Sequence, residues 1–310
     1  MGKILSSREY QLTQAEIFNL CQVENLRKFV IFTDFAFLQI LCETLVSDVL
    51  ATKINIPEHV HTKMRNFARS VENSMRSITE GAPAALTEGK VAAARMFAQN
   101  VRRYTSLSHL SNAARLVFNT AESTKIMAED FGRVDLANVQ EQAEWVTKCD
   151  ATLVRQLSEA FKENLTQKKT LDDWAEWMAS VVDQVLAAYH DRPYRELARH
   201  SKQFLLNWSF YSSIIIRDLT LRSASSFGHF HLIRLLFDEY LLYLVEGRLA
   251  KAAGAPVLAV MASNLVGEYD PAEYSCIMKV GDDGISCPLH TISTTSYDSD
   301  YRTDMDTSGD

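Results

Sequence analysis

The sequence predicts an all-α protein: a multi-helix bundle with long helices, followed by a disordered acidic C-terminal tail. Three observations predict it. Glycine and proline are sparse ahead of Gly247, where only Gly2, Gly81, Gly89, Gly132, Gly228, Pro57, Pro83 and Pro193 interrupt a chain rich in Ala, Leu, Glu, Lys and Gln. Apolar residues recur at i, i+3 and i+4, and no strand-like alternation persists before position 256. After about Val266 the composition turns to Asp, Ser, Thr and Gly, with too little apolar area to offset the entropy of ordering. No heptad is sustained and no repeat of fixed period occurs, which favours a globular bundle over a simple coiled coil.

The elements follow in order. Thr13 and Glu16 make a capping box, opening a helix with Ile17, Leu20, Val23 or Glu24, and Leu26 on one side. A second apolar helix follows Asp34, with Phe35, Leu38, Leu41 or Cys42, Leu45 and Val49 as its stripe. Pro57 suits a first helical position and leads a helix through Ile78, which Gly81–Ala82–Pro83 ends. Helical patterning runs from about Glu88 to Tyr104 and again from Ser108 to Glu129, with at most a kink between, and Phe131 to Asp135 is a short connector. Asn138 to Leu165 reads as one long amphipathic helix carrying Val139, Ala143, Val146, Leu153, Leu157 and Phe161. Thr170 with Asp173 caps the next, whose stripe is Leu171, Trp174, Trp177 or Met178, Val181 and Val185. Pro193 precedes two further helices, and Ala252 to Gly267, with Gly254, Pro256 and many small residues, reads as a loop. The expected organisation is a flexible N-terminus over 1–13, a helical region over 14–260 (parts 14–130 and 138–260), and a tail over 261–310.

The two helices after Pro193, joined at Ser225–Ser226, are the most informative. Phe204, Trp208, Tyr211, Ile215 and Leu219 form one face of the first, with Leu205, Phe210, Ile214 and Ile216 off it. Phe230, Ile233, Phe237, Tyr240 or Leu241, and Leu244 form a stripe on the second, widened by Leu232, Leu235, Leu236, Leu242 and Tyr243. A helix apolar nearly all round is buried in a core, a membrane or a partner. A membrane is excluded because the longest uncharged run, Phe204 to Ile216, falls short of the roughly 20 residues a bilayer needs. With no signal-type N-terminus, a soluble, unsecreted protein is expected. The faces therefore suit assembly. Trp208, Tyr211, Ile215, Leu219, Phe230, Ile233, Phe237 and Tyr240 are the candidate dimer interface, with packing inside the chain as the competing role.

Charge and chemistry narrow the function. The net charge of −7 resides in the tail: residues 267–310 hold ten acidic and two basic residues, against 29 acidic and 30 basic in the rest. A balanced body lacks the excess that a strong nucleic-acid binder uses on phosphates. Arg65, Arg69 and Arg76, and Arg95, Arg102, Arg103 and Arg115, read as solvated faces paired with nearby acids. The five cysteines are scattered, without C-x-x-C spacing, which favours a reducing compartment. Glu58–His59–Val60–His61 contains E-x-x-H, but no second copy exists, so it reads as a solvated helix start. His229 and His231 are too close in sequence to share a helical face, and no phosphate loop, dinucleotide fingerprint or nucleophile elbow occurs. No enzyme activity, cofactor, metal or small-molecule substrate is implied. Trp145, Trp174, Trp177 and Trp208 read as core residues, with interface anchoring as the alternative.

RRYTSLSHLSNAARLVFN (Arg102 to Asn119), RVDLANVQEQAEWV (Arg133 to Val146) and the stretch from Gln203 to Glu246 resemble the C-terminal half of the regulatory factor X (RFX) transcription factors. IFTDFAFLQILCETLVSDVL and KMRNFARSVENSMRSI resemble the segment before it, so the likeness covers roughly residues 14 to 260. The resemblance implies a nuclear protein whose helical regions mediate homo- or heterodimerisation with RFX-type partners and control of transcription. In that family a winged-helix domain reads X-box DNA and several members control ciliary genes. These residues contain no winged-helix segment, so the chain is expected to be a fragment or a pairing isoform that reaches DNA only indirectly. The rival readings are a cytosolic helical scaffold and a bundle enzyme with a buried metal.

Overall fold

The computed structural model describes residues 12–266, apart from 48, 51–55, 145 and 148. The expected flexible N-terminus up to residue 11, the tail from residue 267 and Trp145 lie outside the described residues, whereas residues 261–266, expected as the start of the tail, are helical. Eleven α-helices and no strand occur among the described residues. They are α1 (Gln14–Leu20), α2 (Glu24–Leu45), α3 (Glu58–Ile78), α4 (Ala84–Asn119), α5 (Ala121–Gly132), α6 (Leu136–Glu144), α7 (Ala151–Thr166), α8 (Leu171–Leu186), α9 (Tyr194–Leu221), α10 (Phe227–Ala253) and α11 (Val257–Val266).

Local capping fixes many of the boundaries. Thr13 and Glu16 form the expected reciprocal box, with Thr13 N–H donating to Glu16 Oε2 at 2.7 Å, and Thr170 and Asp173 form a second before α8. The helix expected to run from Thr13 past Leu26 instead stops at Cys21 and restarts at Glu24, with Val23 as N-cap. Pro57 sits at the N-cap of α3, one residue ahead of the expected position. The stretch from Ala84 to Asn119 is one helix of 36 residues, about 54 Å long at about 1.5 Å per residue. Its Thr and Ser cluster does not break it, because Thr105 and Ser111 hydroxyls donate to the carbonyls of Arg102 and Leu107 within the helix. The break falls at Thr120 instead. The single helix expected over Asn138–Leu165 is two: α6 ends at Glu144, and Asp150 caps α7 by accepting from Thr152 N–H at 2.8 Å.

The expected loop over 252–267 is corrected most strongly. Gly254, at φ 60°, ends α10 in the left-handed conformation, and Ala255 N–H donates to Ala250 C=O. Pro256 then precedes α11. Glycine and proline here punctuate two helices. Gln39 Oε1 accepts from Leu258 N–H at 3.3 Å in the core, satisfying one of the donors left over at the α11 start.

Two clusters make the core, and α4 runs through both. Its first half packs with α2, α3 and α11 around Phe35, Leu38, Cys42, Leu86, Phe97 and Leu258. Gly89 allows α2 to approach α4: a Cβ there would fall inside the Ile31 side chain. Its second half joins α5, α8, α9 and α10 around Phe118, Met127, Trp174, Leu219, Phe237 and Leu241. Arg103 on α4 pins α10 through Nη1, 3.0 Å from both oxygens of the buried Glu246. Burial pushes the Glu246 carboxyl up, against the Arg103 charge.

The α9–α10 joint is held by a buried carboxylate from α5. Asp130 Oδ2 accepts from Ser226 N–H at 3.1 Å, Ser226 Oγ at 2.6 Å and Ser225 Oγ at 3.4 Å. Burial alone would raise this carboxyl, but the Ser226 hydrogen bonds and Arg133 outweigh it and hold it below the usual carboxylate range. A depressed folded-state value means a stabilising contribution that is complete above the unfolded value, about 3.9. That contribution is lost as pH falls through the folded one. Asp130→Asn is expected to be destabilised at neutral pH by about 1.5–3 kcal/mol. The gap between wild type and variant should close as pH falls below about 4. Denaturant melts of both proteins from pH 7 to 2.5 check this, and a gap independent of pH would show that the carboxylate charge is not what holds the joint.

Candidate protein-docking groove

The helices that the sequence singles out do pack on each other, and much of their apolar surface is used inside the chain. Leu219, Phe230, Ile233 and Phe237 are buried, as is Tyr211 at the edge of the core. Trp208, Ile215 and Tyr240 are half-buried. Tyr240 faces away from the others, stacked on Tyr243 at 5.7 Å.

Six of the eight candidates, Trp208, Tyr211, Ile215, Phe230, Ile233 and Phe237, line one cleft of about 400 Å³ between α9–α10 and α7. Leu219 and Tyr240 do not line it. The opposite wall is α7. This helix is amphipathic, yet only Leu165 of its residues is buried, and Leu153, Val154, Leu157 and Phe161 are half-covered. An apolar face left half-covered by its own chain is a surface available to a partner. The sequence shows the α7 stripe, but not that its far side stays open.

The aromatic anchors are held by their polar ends. Trp208 Nε1–H donates to Asp238 at 3.0 Å, and Tyr211 OH donates to Gln140 at 2.8 Å. Arg234 donates to Ser212 and Ser213, at 3.1 and 2.7 Å, and approaches Asp238 at 3.5 Å. Burial pushes the Asp238 carboxyl up, while Arg234 and the Trp208 N–H favour its charged form. His200 and Tyr189, stacked with ring centres 3.7 Å apart, also line the cleft. Rings fixed at one end and open at the other lose little freedom when covered, which suits an anchor in a binding surface. Cys149 lines the cleft too, but burial raises its thiol, so it is no activated nucleophile. The arrangement offers apolar area and a few polar tips, which fits the side-chain face of a helix better than a reacting small molecule.

Five of the seven arginines in the basic clusters are engaged within the fold, while Arg69 and Arg102 are exposed. Arg65 pairs with Glu58 at 2.7 Å, Arg76 and Arg95 with Glu72, Arg103 with Glu246, and Arg115 donates to Leu50 C=O. Among the described residues no helix is long and apolar enough to cross a membrane.

Fold and groove together describe an all-helical chain with an open apolar cleft between α7 and the α9–α10 pair. The chain belongs to the RFX transcription factor family: the family model described as the RFX BCD domain matches residues 5–252. It is similar to "Transcription factor RFX3" of Homo sapiens, 47% identical over 257 residues, covering 83% of this chain and 34% of that protein. "Transcription factor RFX3" of Danio rerio is 42% identical over 302 residues, covering 97% of this chain and 36% of that protein. "DNA-binding protein RFX2" of Mus musculus is 46% identical over 250 residues, covering 81% and 34%. The chain thus spans about a third of the length of the curated relatives it matches. No solved structure matches it.

Proposed function

We propose that this chain is the dimerisation and regulatory portion of an RFX-type transcription factor, working in the nucleus on RNA polymerase II transcription at X-box promoters. The single observation that carries the dimerisation reading is the open apolar groove between α7 and the α9–α10 pair. Its occupant is an RFX-type chain, either a second copy or a related family member. The balanced charge of the helical body and the pairing of most of its clustered arginines favour DNA contact through a winged-helix domain of a partner or of the wider protein, not through these helices. Neither the groove nor its titratable groups call for an enzymatic role.

A mobility-shift assay tests the reading. Adding the chain to a full-length RFX protein on an X-box duplex is expected to replace the original complex with one of altered mobility, as mixed dimers form. An unchanged complex at saturating chain would contradict pairing with family members.

A further inference from the structure

The first turn of α3, where E-x-x-H spacing places Glu58 and His61 together, meets α4 at His109, which no sequence spacing connects to them. His109 Nε2 lies 2.7 Å from Glu58 Oε2, and His61 Nδ1 lies 3.7 Å from the same oxygen. One ligand atom from each lies within 4.8 Å of the others, and the imidazole rings meet edge to face with centres 4.8 Å apart.

The reading of this segment as a solvated helix start is corrected for His61, which is only 1% exposed. Neither of its ring nitrogens has a hydrogen-bond partner among the described residues. Buried polar groups are rarely left so, and an apolar side chain would fill this place without the cost of desolvating two nitrogens. The carboxylate is already oriented. Arg65 donates to Glu58 Oε1 at 2.7 Å and Thr62 approaches the same oxygen at 3.4 Å, which leaves Oε2 facing the two imidazoles. Outer hydrogen bonds of this kind hold ligating carboxylates in place.

We propose that Glu58, His61 and His109 bind a divalent transition metal ion of the zinc class, which pins the start of α3 to the middle of α4. Two imidazole nitrogens and one carboxylate oxygen are a zinc-type donor set, with water completing the shell. Imidazole donors disfavour magnesium and calcium, which take oxygen ligands. Ligand bonds of about 2.0–2.1 Å require the three groups to draw inward. His109 can supply most of this movement because its side chain is 45% exposed. Arg65 and the α3 N-terminus oppose the ion's charge, and Glu58 offsets them.

The test uses the full chain, stripped with chelator and titrated with cobalt(II), then zinc. The expected result is one equivalent of cobalt with the intense visible absorption of a four-coordinate ion, displaced by one equivalent of zinc. Zinc should also raise the thermal midpoint. His109→Ala, at an exposed position that tolerates truncation, should weaken binding by about 100-fold or more. His59→Ala, at an exposed neighbour outside the trio, should leave it intact. Absence of stoichiometric binding, binding unaltered in His109→Ala, or equal loss in His59→Ala would each overturn the site.

Discussion

Trp174→Ala is expected to destabilise the chain by about 3–5 kcal/mol. At about 2–4 °C per kcal/mol for a protein of this size, the thermal midpoint should fall by roughly 6–20 °C. Trp174 is fully buried at the centre of an aromatic cluster that joins four helices. It stacks on Phe118 at 5.3 Å and lies 5.1 Å from Phe161, 5.5 Å from Trp177 and 5.4 Å from Phe237. Truncation removes the fully buried indole at the centre and leaves a cavity that rings from four helices cannot close together. Its indole N–H has no hydrogen-bond partner among the described residues, so Trp174→Phe loses apolar volume but no polar contact. The phenylalanine variant should therefore retain most of the stability. Calorimetry on both variants checks the pair, and an alanine variant within about 1 kcal/mol of wild type would show that this cluster does not anchor the fold.

Replacing Leu153 and Leu157 together by Asp is expected to abolish dimerisation while leaving the helices intact. Both side chains line the groove and are half-exposed in the single chain, so the change costs the fold little. Covered by a partner, each leucine, already half-covered, would contribute about half of the roughly 1.5–3 kcal/mol of full burial. Losing two is then worth roughly 10–10²-fold in affinity, and the cost of burying two carboxylates in the interface adds to it. Trp208 is a poorer probe, because its removal also strips Asp238 of a hydrogen bond and confuses assembly with stability. Sedimentation with circular dichroism on the double variant separates the effects. A dimer that survives the double variant but is broken by Phe37→Arg, on the exposed stripe of α2, would move the interface to that helix.

Much of this fold is legible in the sequence, because capping and periodicity are local. The boxes at Thr13 and Thr170 and the long apolar α9 and α10 need only a few neighbouring residues to be recognised. The errors arise where a local signal has two outcomes. Gly254 and Pro256 suit a loop as well as a helix-to-helix joint, and burial of Leu258, Ala259 and Ala262 against α2 and α4 decides for the joint. The Thr and Ser residues of 105–111 suit a kink as well as a continuous helix, and back-bonding of Thr105 and Ser111 decides for the helix. The groove is half legible for the same reason. Periodicity identifies an apolar face on α9, α10 and α7, but which faces meet and which stay open depends on packing across the chain. His109 belongs to the Glu58 and His61 cluster only because α4 folds back along α3, and no spacing in the sequence records that.

The most direct measurement is the mass of the chain in solution, by light scattering behind size exclusion, across a hundredfold range of concentration. If a second copy covers the groove, the peak should move to twice the 35.0 kDa of one chain as concentration rises, at unchanged helicity. A well-folded species that stays at the mass of one chain throughout would contradict self-association through the groove.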